Sequence, residues 1–203
     1  AFEAREIDIL VGTQMLSKGL DFDNVSLVGI LNADMMLNFP DFRAHERAFQ
    51  LMVQVSGRAG RSKKQGKVLI QTYNPYHQIL QQVSSTDYAA MYKEQLEDRW
   101  QYHYPPYYRL VKITLKHKDY QKVDAGIIWL SKALQNVFRE HVLGPSEPAV
   151  SRIRNQYIKN VMIKIPPKQS LGKTKKEIDK IKNTFQAVAD FRPIRFIIDV
   201  DAY

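Results

Sequence analysis

An α/β chain in two parts is the architecture this sequence predicts, and three observations carry the prediction. Residues 1–103 alternate short apolar runs with longer amphipathic stretches, the order that produces a parallel sheet flanked by helices. Residues 104–203 read strand, helix, strand, strand, helix, strand. That βαββαβ order belongs to a ferredoxin-like sheet with two helices on one face. Charge divides at the same place, with 11 Lys/Arg against 12 Asp/Glu before residue 104 and 19 against 9 from there on. The His103-Tyr104-Pro105-Pro106-Tyr107 stretch marks the boundary, since consecutive prolines end a helix and force an extended chain.

In the first part, residues 7–11 form a short apolar run ending in Gly12-Thr13, and residues 25–31 form a second strand. Pro40-Asp41 opens an amphipathic helix over residues 42–61, with Asp41 as its N-cap. Residues 67–72 give a further strand, and residues 76–102 read as helical because they hold few breakers. On the long helix Gln54, Gly57, Arg58 and Arg61 fall at i, i+3, i+4 and i+7 and share one face. Phe42, Phe49, Met52 and Val53 fall roughly opposite and anchor it. Guanidiniums presented outward beside Gly57 and Gly60 suit a polyphosphate. Spacing alone equally describes an ordinary solvated helix face.

In the second part, residues 110–116 alternate as a half-buried strand does, and Asp119 precedes a helix with Val123, Ile127, Leu130, Leu134 and Val137 on one stripe. Strands follow over residues 149–154 and 157–165 with Asn155-Gln156 as a tight turn, and Pro166-Pro167 closes the second. Thr174 and Glu177 have capping-box spacing and open a helix carrying Ile178, Ile181, Phe185 and Val188. Ile194, Phe196, Ile198 and Val200 finish with a strand. If Val111, Ile113, Leu115, Ile153, Val161, Ile163, Ile165, Phe196 and Ile198 face the helices, alternation sends Lys112, Thr114, Lys116, Arg152, Arg154, Lys164 and Arg195 to the other face. Six cations among these seven positions favour a phosphate-binding surface, against solvated lysines on a wet sheet face. Tyr157, Tyr107 and Tyr108 add rings able to stack on bases. The hairpin bearing Arg152, Arg154 and Tyr157 is the first candidate for DNA contact, and residues 173–182 read as a solvated basic helix face.

Composition excludes several classes. With 203 residues and 44% hydrophobic content the chain can bury substantial cores. It has neither the roughly 18-residue apolar run that crosses a bilayer nor a basic-then-apolar leader, so it reads as soluble and cytoplasmic, without a membrane partner. Zero cysteines exclude disulfides and thiolate metal sites, and the five histidines show no ligand spacing; no metal site is expected. There is neither a G-x-x-x-x-G-K-[ST] loop nor an acidic magnesium box, so the chain is not expected to hydrolyse ATP alone.

The block Gly12-Thr13-Gln14-Met15-Leu16-Ser17-Lys18-Gly19-Leu20-Asp21-Phe22 and the block Gln54-Val55-Ser56-Gly57-Arg58-Ala59-Gly60-Arg61 resemble motifs V and VI of superfamily 2 helicases, in that order. The fuller spelling, GTQMLSKGLDF, then LNADMMLNFPDFRAHERAFQLMVQVSGRAGR and GKVLIQTYNP, resembles the PriA replication-restart helicases, strongly to residue 77 and more loosely beyond. The resemblance implies a partial RecA-like second helicase lobe, followed by the family's C-terminal domain. It implies that Arg58 and Arg61 reach nucleotide phosphates held by the other lobe, Arg61 as the arginine finger, with Gln54 and Gly57 beside them. Gly19 and Asp21 would lie near the nucleotide sugar, and Thr13, Gln14 and Lys18 near the DNA backbone. From the residues alone Thr13 has two readings, a helix cap or a hydroxyl that joins a backbone N–H in a phosphate site. The hairpin sits where PriA-like proteins place one rich in arginine and aromatic residues.

The resemblance further implies ATP and Mg2+ for the parent protein, and zinc in a cysteine-rich region that precedes motif V and is absent from this chain. It implies 3′→5′ unwinding, recognition of forked or single-stranded DNA, and single-strand-binding protein and primosome proteins as partners. Two other readings remain: a non-enzymatic nucleic-acid or ribosome-binding module, and another superfamily 2 motor of the RecG or RNA-helicase type. The paired blocks argue against the first. The GTQM spelling and the basic βαββαβ tail argue against the second.

Overall fold

The computed structural model describes residues 6–13, 25–59 and 66–201. The chain divides into two compact units, residues 1–98 and 99–203. In the first, β1 (Leu27–Ile30) and β2 (Lys67–Ile70) pair in parallel with Leu27 opposite Lys67. A parallel pair needs a crossover, and this one carries α1 (Ala33–Leu37) and α2 (Ala44–Ser56). Ala33, Leu37, Ala48, Phe49 and Met52 pack with Ile79, Leu80 and Val83 of α3 (Gln78–Ser85) and Met91 of α4 (Tyr88–Gln101). Each large side chain so buried contributes about 2 kcal/mol.

Three expectations for this unit change. Residues 7–11 form no strand, and Ile9 and Val11 are 79% and 82% exposed; a parallel strand holds only between paired and covered neighbours. The long helix stops at Ser56 instead of running to Arg61. Beyond it Arg58 N donates to Val55 O and Ala59 N to Ser56 O, the tighter spacing of a closing turn. The same helix starts at Ala44 instead of Phe42, with Arg43 and not Asp41 in the N-cap position and no side-chain cap bond; the Asp41 carboxylate accepts from Arg43 N at 2.9 Å and from the Arg47 guanidinium at 2.8 Å just outside the helix. Residues 76–102 form two helices instead of one, because Thr86 turns left-handed and the Asp87 carboxylate caps α4 by accepting from Ala90 N.

In the second unit β3 (Arg109–His117) is central, flanked by β6 (Gln156–Ile165) and β7 (Arg195–Val200), with β4 (Val142–Ser146) outside β6. The order β4-β6-β3-β7 is antiparallel throughout. With α5 (Tyr120–Phe138) and α6 (Leu171–Ala187) as connections, this is the ferredoxin-like βαββαβ arrangement. Val111, Ile113, Leu115, Val161, Ile163 and Ile165 meet Val123, Ile127, Leu130, Leu134, Ile178, Ile181 and Phe185 in one core, with Phe196 and Ile198 packed at its margin. Gly126 lets the helices close: a Cβ there would meet Ile194 Cδ1 at 2.9 Å and Phe185 Cζ at 3.2 Å.

Local details differ from the sequence reading. Phe138 is 3% exposed and closes the α5 stripe, whereas Val137 is 43% exposed. Ser170 caps α6 and accepts from Lys173 N, while Thr174 lies inside the helix with its hydroxyl on Ser170 O. The strand expected over residues 149–154 is reduced to β5 (Arg152–Ile153), and β4 takes the edge position instead. Gly144 and Pro145 hide β4 in the sequence, because both are poor strand residues except at edges and bulges; Gly144 has φ +109 there.

Candidate functional site

The arginine-bearing segment begins on a well-seated helix. Phe49 and Met52 fix α2 to the core of the first unit, which leaves Gln54 exposed on the outer side. Arg58 is half-buried in the turn that follows α2, so it does not share a helical face with Gln54 as expected. Gly57 has an ordinary helical φ of −65°. A Cβ there would meet Val53 O at 3.5 Å and Gln54 O at 3.6 Å, ordinary contacts. Arg61, together with Gln14, Lys18, Gly19, Asp21 and Gly60, lies outside the described residues. Thr13 is exposed and belongs to no regular element. Among the described residues no group of three or more His, Cys, Asp or Glu is placed to hold a metal ion. The guanidinium of Arg58 and the amide of Gln54 suit phosphate oxygens.

The hairpin of the second unit is shifted by one residue from its expected form. Arg154 and Asn155 take left-handed φ values of 49° and 59° and form the turn, so Arg152 pairs with Tyr157 and Ile153 with Gln156. Cross-strand partners share a face. Tyr157 packs on the helix-side core, which puts Arg152 on the helix side and turns Ile153 away from it, the reverse of the expectation. The Arg152 guanidinium lies 4.9 Å from the Tyr157 ring centroid, and that ring meets Tyr120 edge-on. Arg154 is exposed at the tip.

The sheet face expected to be open and basic is mixed. Thr114 and Asn160 are buried cross-strand partners joined at 2.8 Å. Leu110 and Ile158 are buried on the same face. Lys164 donates to Tyr102 O and stands over the Tyr104 ring, and burial lowers its pKa. Lys112 is half-buried opposite Asp199. The Tyr108 ring meets His103 in a tilted contact, centroids 4.4 Å apart.

Lys159 was not among the sequence candidates. It shares strand parity with Val161, Ile163 and Ile165 and so points to the helix side, where its side chain is 11% exposed. Its ammonium bonds Asp124, lies 3.2 Å from both Glu147 Oε1 and the Tyr120 hydroxyl, and sits 4.8 Å from the Tyr120 ring centroid. Burial opposes the charge, yet the hydrogen bonds to Asp124, Tyr120 and Glu147 outweigh it and hold the pKa above the ordinary lysine range. A lysine at a core-parity position was the available signal, because a buried cation requires carboxylate partners.

Comparison with known proteins decides the family. The family model "Primosomal protein N C-terminal domain" matches residues 100–203, and "Helicase conserved C-terminal domain" matches residues 1–63. The chain belongs to the primosomal protein N (PriA) family. It is 39% identical over 205 residues to the replication restart protein PriA of Bacillus subtilis, with 100% of this chain and 25% of that protein covered. To the PriA of Synechocystis it is 38% identical over 167 residues, covering 81% of this chain and 20% of the relative. To the PriA of Borreliella burgdorferi it is 34% identical over 203 residues, covering 97% and 30%. The chain thus spans about a quarter of the length of these PriA relatives. It joins a helicase lobe to a PriA C-terminal domain, and the Lys159 cluster and the hairpin both lie within the latter.

Proposed function

We propose that this chain is the C-terminal portion of an ATP-dependent DNA helicase that unwinds 3′→5′, recognises stalled or branched forks and starts primosome assembly. The observation that carries the reading is the presence, in order, of the two blocks that resemble helicase motifs V and VI and a family-matched C-terminal domain on one chain. Arg58 and Arg61 act on the triphosphate, Arg61 as the finger, with Gly19, Asp21, Gln54 and Gly57 shaping that side of the cleft. Guanidiniums at this position stabilise charge on the transferred phosphoryl group. ATP and Mg2+ are bound mainly by the first lobe, and zinc belongs to a cysteine-rich region; neither lies in this chain, which does not hydrolyse ATP alone.

DNA contact falls to Thr13, Gln14 and Lys18 in the first domain, residues 1–103, and to Arg152, Arg154 and Tyr157 in the second, residues 104–203. Lys112 adds charge from the sheet, and Lys164, engaged by the Tyr102 carbonyl and the Tyr104 ring, adds only background charge. Single-strand-binding protein and primosome proteins are the protein partners, and the protein acts in the cytoplasm. Among the described residues no helix is long and apolar enough to cross a membrane. The test is unwinding by the full-length protein. A forked duplex with a 3′ single-stranded tract should open in the presence of ATP and Mg2+ and stay closed with a non-hydrolysable analogue. A full-length protein that binds the fork and turns over no ATP would leave a binding module instead.

A further inference from the structure

Five cations of the second unit, Lys116, Lys118, Arg152, Arg154 and Arg195, lie toward one end of its sheet, with the Arg152 guanidinium donating to Asn155 Oδ1. β3 ends at Lys116 and His117, with Lys118 just beyond it, where β6 begins at Gln156 and β7 begins at Arg195, since Lys116 lies opposite both Ile158 and Arg195. The β5–β6 turn projects from the same end and adds Arg152 and Arg154. β5 with its turn, β3 and β7 thus carry cations at this end, with β6 lying between β5 and β3, so the group spans roughly 14 Å, three strand spacings of about 4.8 Å. Lys118, Arg152, Arg154 and Arg195 are exposed and Lys116 is half-exposed. Among the described residues none of the five makes an ion pair with a carboxylate. The acids nearby are already committed: Asp119 caps α5 through Gln121 N and Lys122 N, and Asp124 and Glu147 are held by Lys159.

We propose that this sheet end, formed by Lys116, Lys118, Arg152, Arg154 and Arg195, tracks the phosphate backbone of a DNA single strand. The proposal rests on the DNA-binding reading above and extends its hairpin contact along the sheet end to Lys116, Lys118 and Arg195. Uncompensated cations at strand spacing give a linear array, which fits a chain of regularly repeating phosphates. The Tyr157 ring, fixed between Arg152 and Tyr120, braces the hairpin at one end of the array.

The test uses the full-length protein and a fluorescent 20-nucleotide oligothymidine, followed by anisotropy between 50 and 300 mM salt. Replacing Lys118, Arg154 and Arg195 together by Ala should weaken binding about tenfold or more at low salt and reduce the magnitude of the log–log salt slope by about 2. Replacing Lys173, Lys176 and Lys180 on the outer face of α6 by Ala removes equal charge and should change both far less. Equal losses in the two triple variants would reduce the rim to a general electrostatic field and overturn the proposal. So would wild-type DNA affinity in the rim variant, or loss of binding to a polyglutamate peptide with DNA binding retained. Salt-insensitive binding by the unmodified protein would instead overturn the DNA reading itself.

Discussion

The Lys164 ammonium stands 3.6 Å from the centroid of the Tyr104 ring. With its bond to the Tyr102 carbonyl, this contact ties the segment before β3 to the C-terminal end of β6, where Lys164 lies opposite Leu110. Lys164→Met should keep the stem packing and lose the cation–π contact, lowering stability by about 1 kcal/mol in a denaturant melt. DNA affinity should change less than twofold, because the charge is engaged within the unit. A large loss of affinity with unchanged stability would restore Lys164 as a direct phosphate ligand.

Lys159 holds α5, β6 and the residue that follows β4 through Asp124, Tyr120 and Glu147. Lys159→Met should cost about 1–3 kcal/mol, moderated because Asp124 and Glu147 are 40% and 49% exposed and can recover water. The sign of the pH effect follows from a pKa raised on folding. The contribution is complete below the unfolded lysine value and is lost as pH rises through the higher folded one. Melting curves of the wild type should therefore lose stability above about pH 10, and the variant should lack that component.

His77 accepts from Ile79 N at 3.2 Å through Nδ1 and so caps α3 in its neutral form. Burial, and then the neighbouring His45, lower its pKa. Because the unfolded chain binds the proton more readily, stability should fall as pH drops below about 6.5 and through the folded value. His77→Asn keeps a capping acceptor that does not titrate, and its melting temperature should flatten across that window. An unchanged acid dependence would place the sensitive group elsewhere.

Gly126→Ala should destabilise the second unit by about 1–3 kcal/mol, since the new methyl meets Ile194 Cδ1 at 2.9 Å and Phe185 Cζ at 3.2 Å. Pairing it with Ile194→Val should recover part of the loss. Gly57→Ala meets only ordinary contacts and should fold as the wild type does, so any loss of ATP turnover in the full-length variant would report on the cleft.

Where the period was long and the pattern unbroken, the sequence was readable: α5, α6, β3 and β6 follow their apolar repeats to within a few residues. The failures share a cause, which is that short-range polar chemistry overrode the period. Ser84, Ser85, Thr86 and Asp87 supply a left-handed turn and a cap that divide the expected helix. Gly144 and Pro145 masked β4. In the hairpin, placing the turn at Asn155-Gln156 instead of Arg154-Asn155 reversed the faces of Arg152 and Ile153, because one residue of register inverts a strand. Lys159 belongs to no motif, and only its strand parity with Val161, Ile163 and Ile165 marks it as a helix-side cation in need of carboxylate partners.

The proposed motor function depends most on the two arginines after α2 acting on a bound triphosphate. The measurement is DNA-stimulated ATP turnover by the full-length protein carrying Arg58→Ala with Arg61→Ala, with nucleotide binding measured in parallel. The account predicts turnover reduced by about 10³-fold or more with nucleotide affinity changed only a few-fold; wild-type turnover in that variant would contradict it.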